Sequence, residues 1–252
     1  GERAILDQPR VLVCADGIHS AARAQLYPGE GPPLYSGRTL WRATTYAKPF
    51  LTGATMIMAG HQDQKFVCYP IEPVREDGLQ RINWITELAV PLSRRREDWN
   101  REGQREDFLP RFMQWKFDWL DVPALVNGAE SAIYEYPMVD RDPLPRWSHG
   151  RVTLLGDAAH PMYPIGSNGA SQAILDVDAL SRALRGHADP VEAFRAYEAE
   201  RLPATAAIVL SNRKNGPEHC MQLSEERAPS GFDKIDDVFA PGVTVVAGDD
   251  EQ

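Results

Sequence analysis

The stretch RVTLLGDAAHPMYPIGSNGASQAILD, residues 151–176, gathers residue types that can hold a ligand. A hydrophobic run at 152–155 delivers Gly156 and Asp157 to its end. A loop punctuated by Pro and Gly follows, and then an alanine-rich amphipathic segment. A carboxylate at a strand end accepts hydrogen bonds from hydroxyl groups, and backbone N–H groups at a helix start attract negative charge. Together these features describe a site for a hydroxylated, anionic cofactor. Pro164, Gly166, Ser167, Asn168, Gly169 and Ala170 make the turn into the helix, where small residues let backbone approach a flat ring closely. His160 is the candidate general base, set against a simpler reading in which the Ala158-Ala159-His160 run packs or hydrogen-bonds the loop.

A second segment, VLVCADGIHSAAR at residues 11–23, has a similar plan: a strand, then Asp16-Gly17 and Ser20, with Arg23 closing a short helix. Alone, Asp16-Gly17 reads as a turn dipeptide. Three blocks position these segments. Residues 11–26 finish one sheet. Residues 37–138 form a mostly β layer with strands at 37–47, 54–60, 65–71, 80–90 and 131–138, rich in β-branched and aromatic residues. A helical insertion is expected at 93–127. Its charged part, RRREDWNREGQRED, balances five arginines against five acids and reads as a solvated face. Trp115, Phe117, Trp119 and Leu120 are expected to pin the insertion to the sheet. The third block has a strand at 151–156 and a helix at 169–185, with Ala173, Ile174, Val177, Leu180 and Leu184 at helical spacing. A last helix at 191–212 is interrupted by Pro203, which should bend it or break it in two. There are no internal repeats.

The two segments, in this order and well over a hundred residues apart, resemble the paired flavin fingerprints of the single-component FAD-dependent aromatic monooxygenases, the p-hydroxybenzoate-hydroxylase-like class. The resemblance runs from about residue 11 to 213. It implies an α/β (α+β) fold: the C-terminal part of a Rossmann-like FAD-binding domain with an inserted mixed β-sheet substrate domain. The implied boundaries are 1–36, 37–140 and 141–216, followed by an acidic tail at 217–252. The resemblance sets Asp157 against the ribityl hydroxyls of FAD. Asp16 and Arg23 go toward its pyrophosphate and NAD(P)H use, and Gly156, Pro164, Gly166, Ser167, Asn168, Gly169 and Ala170 toward the flavin ring. A helix starting near Gly169 would stabilise negative charge at flavin N1/O2. The commoner version of the motif reads Gly-Gln-Gly where this chain has Gly166-Ser167-Asn168-Gly169. That variant, with YPMVDRDPLPRW just upstream, resembles the phenazine-hydroxylating branch of the class.

The activity implied is transfer of hydride from NAD(P)H to FAD, reaction with O2, and delivery of one oxygen atom from a flavin C4a-hydroperoxide to an aromatic or N-heteroaromatic, phenazine-like acid. A salicylate-type hydroxylase acting on a benzenoid acid is one alternative. A non-catalytic fragment is another, because no Gly-x-Gly-x-x-Gly turn occurs and the chain reads as the C-terminal two-thirds of such an enzyme. The candidate substrate pocket draws on Arg42, Tyr69, Trp84, Met162 and Tyr163, with Trp41, Met56, Met58 and Tyr136 beside them. Alternation along strands means that about half of these face elsewhere. Arg42 sits in a hydrophobic strand and needs a partner: a substrate carboxylate, the flavin, or an acid elsewhere in the fold.

Composition bounds the rest. With 252 residues and 43% hydrophobic content the chain can bury a sizeable core in one or two domains. A net charge of −9, with −6 of it in residues 224–252, gives no reason to expect a nucleic-acid partner. Cys14, Cys68 and Cys220 lie far apart and read as reduced thiols, the first two buried. Neither metal-ligand spacing nor a Gly-x-Ser-x-Gly elbow occurs. Without an apolar run near 20 residues or a signal-peptide pattern, no membrane partner and a cytoplasmic location are expected. The assembly considered is a homodimer.

Overall fold

The computed structural model describes residues 11–61, 63–91, 101–164 and 168–214. Gly166, Ser167, Cys220, the acidic tail and the first half of the charged run fall outside these.

In chain order the elements are β1 (Leu12–Cys14), α1 (Ala21–Leu26), β2 (Leu34–Ala47), β3 (Ile57–His61), β4 (Gln64–Pro70), β5 (Gln80–Ala89), α2 (Arg105–Phe112), β6 (Lys116–Phe117), β7 (Leu120–Asp121), α3 (Val122–Asn127), β8 (Tyr134–Asp140), β9 (Ser148–His149), β10 (Val152–Leu154), a short 3-10 turn (Gly156–Ala158), α4 (Asn168–Gly186) and α5 (Pro190–Lys214). They build two layers. One is a three-stranded sheet ordered β1-β10-β9, in which β1 runs parallel to β10. The other is a five-stranded sheet ordered β3-β4-β5-β2-β8. The five-stranded sheet is thus inserted in sequence between two neighbouring strands of the smaller one. All its described pairings are antiparallel, whereas a mixed sheet was expected. β3, β4 and β5 are joined in sequence by short turns, and such connections favour antiparallel neighbours.

Alternation assigns the two faces of the large sheet. Trp41, Phe66, Cys68, Ile82, Trp84 and Leu88 point to one side and are buried under Phe108, Phe112, Leu125 and Val126 from α2 and α3. Trp41 stacks on Phe108 with ring centroids 5.1 Å apart, and Trp84 Nε1 donates to Thr45 Oγ1 at 3.0 Å. The expected substrate-pocket role of Trp84, and of Trp41 beside it, is therefore corrected: both belong to the helix-covered core. Of the four residues expected to pin the insertion, Trp115 and Leu120 pack on that core. Phe117 and Trp119 instead stack on each other at the surface. Where β2 pairs with β8 the register shifts between Tyr35 and Thr39. Gly37 sits within that irregularity at φ +87°, a conformation natural to glycine in a bulged strand.

A second core joins the small sheet to the last two helices through Leu144, Trp147, Leu154, Leu180, Phe194 and Tyr197. Two expectations change here. α5 runs unbroken from Pro190 to Lys214, with Pro203 inside it. Packing of Phe194, Tyr197, Arg201, Thr205 and Val209 holds both sides of the proline in one helix. In α4 the expected apolar stripe is only partly the buried face, since Ile174, Val177 and Leu184 are exposed. Of that stripe Leu180 is buried as expected, and Asp176 and Ala179 are buried with it, because the Asp176 carboxylate is drawn inward by partners described below. Both described cysteines, Cys14 and Cys68, are buried and free, and burial pushes the Cys68 thiol up to about 12. No helix among the described residues is long and apolar enough to cross a membrane.

Trp84→Ala should cost about 3–5 kcal/mol, the range for emptying a large aromatic site in a core. Trp119→Ala should cost below about 1 kcal/mol. Urea unfolding followed by circular dichroism measures both, and equal losses would contradict the assigned faces.

Candidate functional site

Between the two layers lies an open cavity of about 1060 Å³. One wall comes from the ends of β1 and β10 and the start of α4: Ala15, Gly17, Gly156, Asp157, Gly169 and Ala170. The other wall is the helix-free face of the large sheet, with Leu40, Arg42, Met58, Val67, Tyr69 and Ile85. Cross-strand register explains this set. Arg42 pairs with Ile85, which pairs with Val67, which pairs with Met58, so one row of four strands points the same way.

Of the expected site residues, Arg42, Tyr69, Met162, Gly156, Asp157, Pro164, Gly169 and Ala170 line this cavity, as do Met56, Met58 and Tyr136. Asn168 opens α4, and Gly166 and Ser167 lie outside the described residues. Three residues are placed elsewhere. Arg23 is 2% exposed. Its Nη1 donates to the carbonyls of Ala158 (3.1 Å) and Ala159 (2.9 Å), its Nη2 to that of Asp142 (3.1 Å), and Glu30 neutralises it. A guanidinium spent in this way clamps the Gly156–Asp157 loop from behind. Asp16 accepts the Ala21 N–H at 2.8 Å and so caps the start of α1 beside the cavity. Tyr163 turns away to pack on Met138 and bond Asp140. Burial, then the Asp140 charge, pushes its phenol up to about 12.

His160 is 3% exposed and is absent from the cavity wall, so the general-base role is corrected to a structural one. Its Nε2 donates to Asp176 Oδ2 at 2.5 Å. The same oxygen accepts the Gly156 N–H at 3.0 Å, and Asp176 Oδ1 accepts Arg201 Nε at 2.9 Å. One carboxylate with no exposure thus ties the strand-end glycine, the loop, α4 and α5 together. Burial alone would raise the Asp176 carboxyl, but the His160 bond and charge, Arg201 and the Gly156 amide together hold it below its ordinary value. Asp176 escaped the sequence reading because an acid inside a helix is read as solvent-facing. The signal available was an acid flanked by helical apolar positions, with His160 and Arg201 to meet it. Lys65 and Glu87, which also line the cavity, were missed for a similar reason. They share strand parity with Tyr69 and Ile85, and their charge masked it.

The cofactor wall suits FAD on its own chemistry. Asp157 lines the cavity with no hydrogen-bond donor from the described chain, and burial, opposed by His160, raises its carboxyl above the ordinary value. A carboxylate in that state gains from hydroxyl donors. Gly156 holds φ +60°, and a Cβ there would lie 3.4 Å from Ala173 Cβ, so only glycine passes this turn without strain. A Cβ on Gly169 would meet nothing nearer than Asp157 Oδ1 at 3.9 Å, which keeps the start of α4 open to a flat ligand.

Such a wall, with its strand-end carboxylate, glycine turn and open helix start, is that of an FAD-binding domain. Comparison agrees: residues 8–211 match the profile of the FAD binding domain family, and the chain belongs to that family. It is 49% identical over 207 residues to the phenazine 1,6-dicarboxylic acid hydroxylase PhzS of Lysobacter antibioticus, covering 80% of this chain and 50% of that protein. It is also 49% identical over 215 residues to 3-hydroxybenzoate 6-hydroxylase 1 of Aquipseudomonas alcaligenes, covering 81% of this chain and 49% of that one. The fold matches Klebsiella pneumoniae HpxO, solved with FAD and uric acid, with a TM-score of 0.69 at 23% identity over 87% of this chain and 55% of that one. The chain spans about half the length of the curated relatives it matches.

Because the Asp176 carboxyl is held low in the fold, its contribution to stability is complete above the ordinary carboxylate range and is lost as pH falls through the depressed folded value. The urea midpoint should therefore fall on acidification below about pH 4. Asp176→Asn should remove that part of the acid dependence. At neutral pH it should cost about 3–5 kcal/mol, since Arg201 stays buried without its counter-charge. An unchanged acid limb in the variant would refute the assignment.

Proposed function

We propose that the protein, loaded with FAD, hydroxylates a fused-ring aromatic or N-heteroaromatic acid of the phenazine type at the expense of NAD(P)H and O2. The observation that carries this reading is the single cavity bounded by the Gly156–Asp157 wall and the apolar sheet face bearing Arg42. When bound, the flavin supplies hydride acceptance and oxygen activation. The chain's own residues do the rest. Asp157 accepts hydrogen bonds from the ribityl hydroxyls. The first N–H groups of α4 would hold the flavin's pyrimidine edge and favour negative charge there. Leu40, Met58, Val67 and Ile85 form a slot for a flat ring that excludes water. Arg42 receives the acid group. Likeness to a phenazine dicarboxylic acid hydroxylase supports the phenazine class. We place the protein in the cytoplasm, where NAD(P)H is supplied.

A second reading, hydroxylation of a benzenoid acid, is favoured by the equal identity to a 3-hydroxybenzoate hydroxylase. Mass analysis of products from phenazine-1-carboxylate and 3-hydroxybenzoate separates the two, because only the true substrate gains an oxygen atom while NAD(P)H is consumed.

The raised Asp157 carboxyl gives a signed prediction. Ionised Asp157 works against the fold above its unfolded value, and the penalty is relieved as pH falls. Asp157→Asn should therefore slightly stabilise the cofactor-free protein at neutral pH. It should also weaken FAD at least about tenfold, since charge-assisted hydroxyl bonds become neutral ones. Thermal melts and retention of the visible flavin band after desalting test the two halves, and undiminished FAD retention would remove Asp157 from the site.

A further inference from the structure

Two cations line the cavity, Arg42 and Lys65, and the chain compensates them differently. Lys65 Nζ lies 2.7 Å from Glu87 Oε2, and Arg38 Nε lies 3.6 Å from the other oxygen of the same carboxylate. That cluster sits deep in the wall, with the Lys65 and Glu87 side chains 7% and 2% exposed. Arg42 is solvated by the cavity, and among the described residues it forms no ion pair. Its one hydrogen bond runs from Nε to Asn83 Oδ1 at 2.8 Å. Asn83 lies on the adjacent strand β5, across from Thr44, two residues along from Arg42.

Asn83 is an expensive residue for this position. It is 1% exposed, and its Nδ2 is buried without a partner among the described residues. An apolar side chain of the same size would avoid that loss. An aspartate would hold Arg42 equally well and would strengthen the contact. Aspartate would also cancel the charge, as Glu87 does for Lys65. The neutral carboxamide is the choice that anchors the guanidinium at Nε and leaves its two terminal nitrogens, with their full positive charge, for something else. A guanidinium edge presented in this way fits a planar anion through two parallel N–H bonds.

We propose that Asn83 is a positioning residue that holds Arg42 as the uncompensated cation of the cavity, so that the site selects aromatic carboxylates over their neutral analogues. This rests on the reading that the cavity takes an aromatic acid. At the other end Lys65 carries a carboxylate counter-charge in direct contact, Glu87, where Arg42 has none among the described residues.

The test measures binding of phenazine-1-carboxylate and of its neutral carboxamide to the full-length, FAD-loaded protein, by calorimetry and by perturbation of the flavin spectrum. The wild type should prefer the acid by at least about tenfold, a difference of about 1.4 kcal/mol. Asn83→Asp should abolish that preference while leaving carboxamide affinity within about twofold, because shape and anchoring persist and only the charge is lost. Asn83→Leu, which removes the buried unpaired amide, should keep the fold and lower acid affinity through a mobile Arg42. In the Arg42→Met background, Asn83→Asp should add nothing further, the signature of action through Arg42.

Equal weakening of acid and carboxamide by Asn83→Asp would assign a merely structural role and overturn the proposal. Loss of FAD retention without change in the acid-to-amide ratio would overturn it too, by placing Arg42 on the cofactor. Absence of acid preference in the wild type would also overturn it, whether or not hydroxylation is observed. Acid preference that responds to Asn83→Asp, without any turnover, would uphold it while defeating the hydroxylase reading.

Discussion

Everything on the cofactor side of this molecule is referred to one buried carboxylate. Asp176 has no exposure, yet it meets the Gly156 amide, His160 and Arg201, so it fixes a strand end, a loop and two helices at once. Burying a carboxylate is unfavourable unless its lone pairs are filled by charged or strongly polar donors, and here they are. The consequences spread outward. The rotation of α4 follows from the inward pull on Asp176, and the open N-terminus of that helix follows from its rotation. Arg23 completes the arrangement from the far side by holding the carbonyls of Ala158 and Ala159. Among the described residues Asp157 then has no donor toward the cavity, because its neighbours have been locked by other residues.

The opposite wall obeys a different constraint. A sheet with one face under helices and one face toward a cavity must place its large apolar side chains by parity. Trp84 and Arg42 belong to neighbouring strands, yet they face opposite ways. The apolar face toward the cavity has room for only a few charges, and each is managed. Lys65 and Arg38 share Glu87, whereas Arg42 leans on an amide. The contrast between a charged and a neutral partner separates cations that stabilise the wall from a cation available to a ligand.

Much of this was legible in the residues themselves. β-branched and aromatic runs marked all five strands of the large sheet within a few positions, because a half-buried strand selects those side chains directly. Gly156 and Asp157 declared themselves through a strand that ends in a flexible, acidic turn. Tyr69 and Trp84 could not be sorted, since parity becomes meaningful only once the register and the helix-covered face are known. Ile174 and Val177 misled for a physical reason: hydrophobic spacing ranks faces by transfer free energy and ignores an acid that three buried donors can accommodate. Arg23 misled because a basic residue in a cofactor fingerprint invites a phosphate contact, while backbone carbonyls compete for the same donors. Pro203 does not break α5, because tertiary packing on both sides outweighs one missing amide bond.

The parallel pairing of Leu12 with Val152 carries a kinetic meaning. These partners are separated by roughly 140 residues, and closing a loop of that length costs about (3/2)RT ln n, some 4 kcal/mol before any contact repays it. The β3-β4-β5 part of the large sheet closes through much shorter loops and can assemble first. The flavin wall is then among the last parts of the chain to exist, and it exists only after the sheet between its halves is in place. Capture of a coloured cofactor during refolding would therefore report the end of the folding reaction rather than its nucleation.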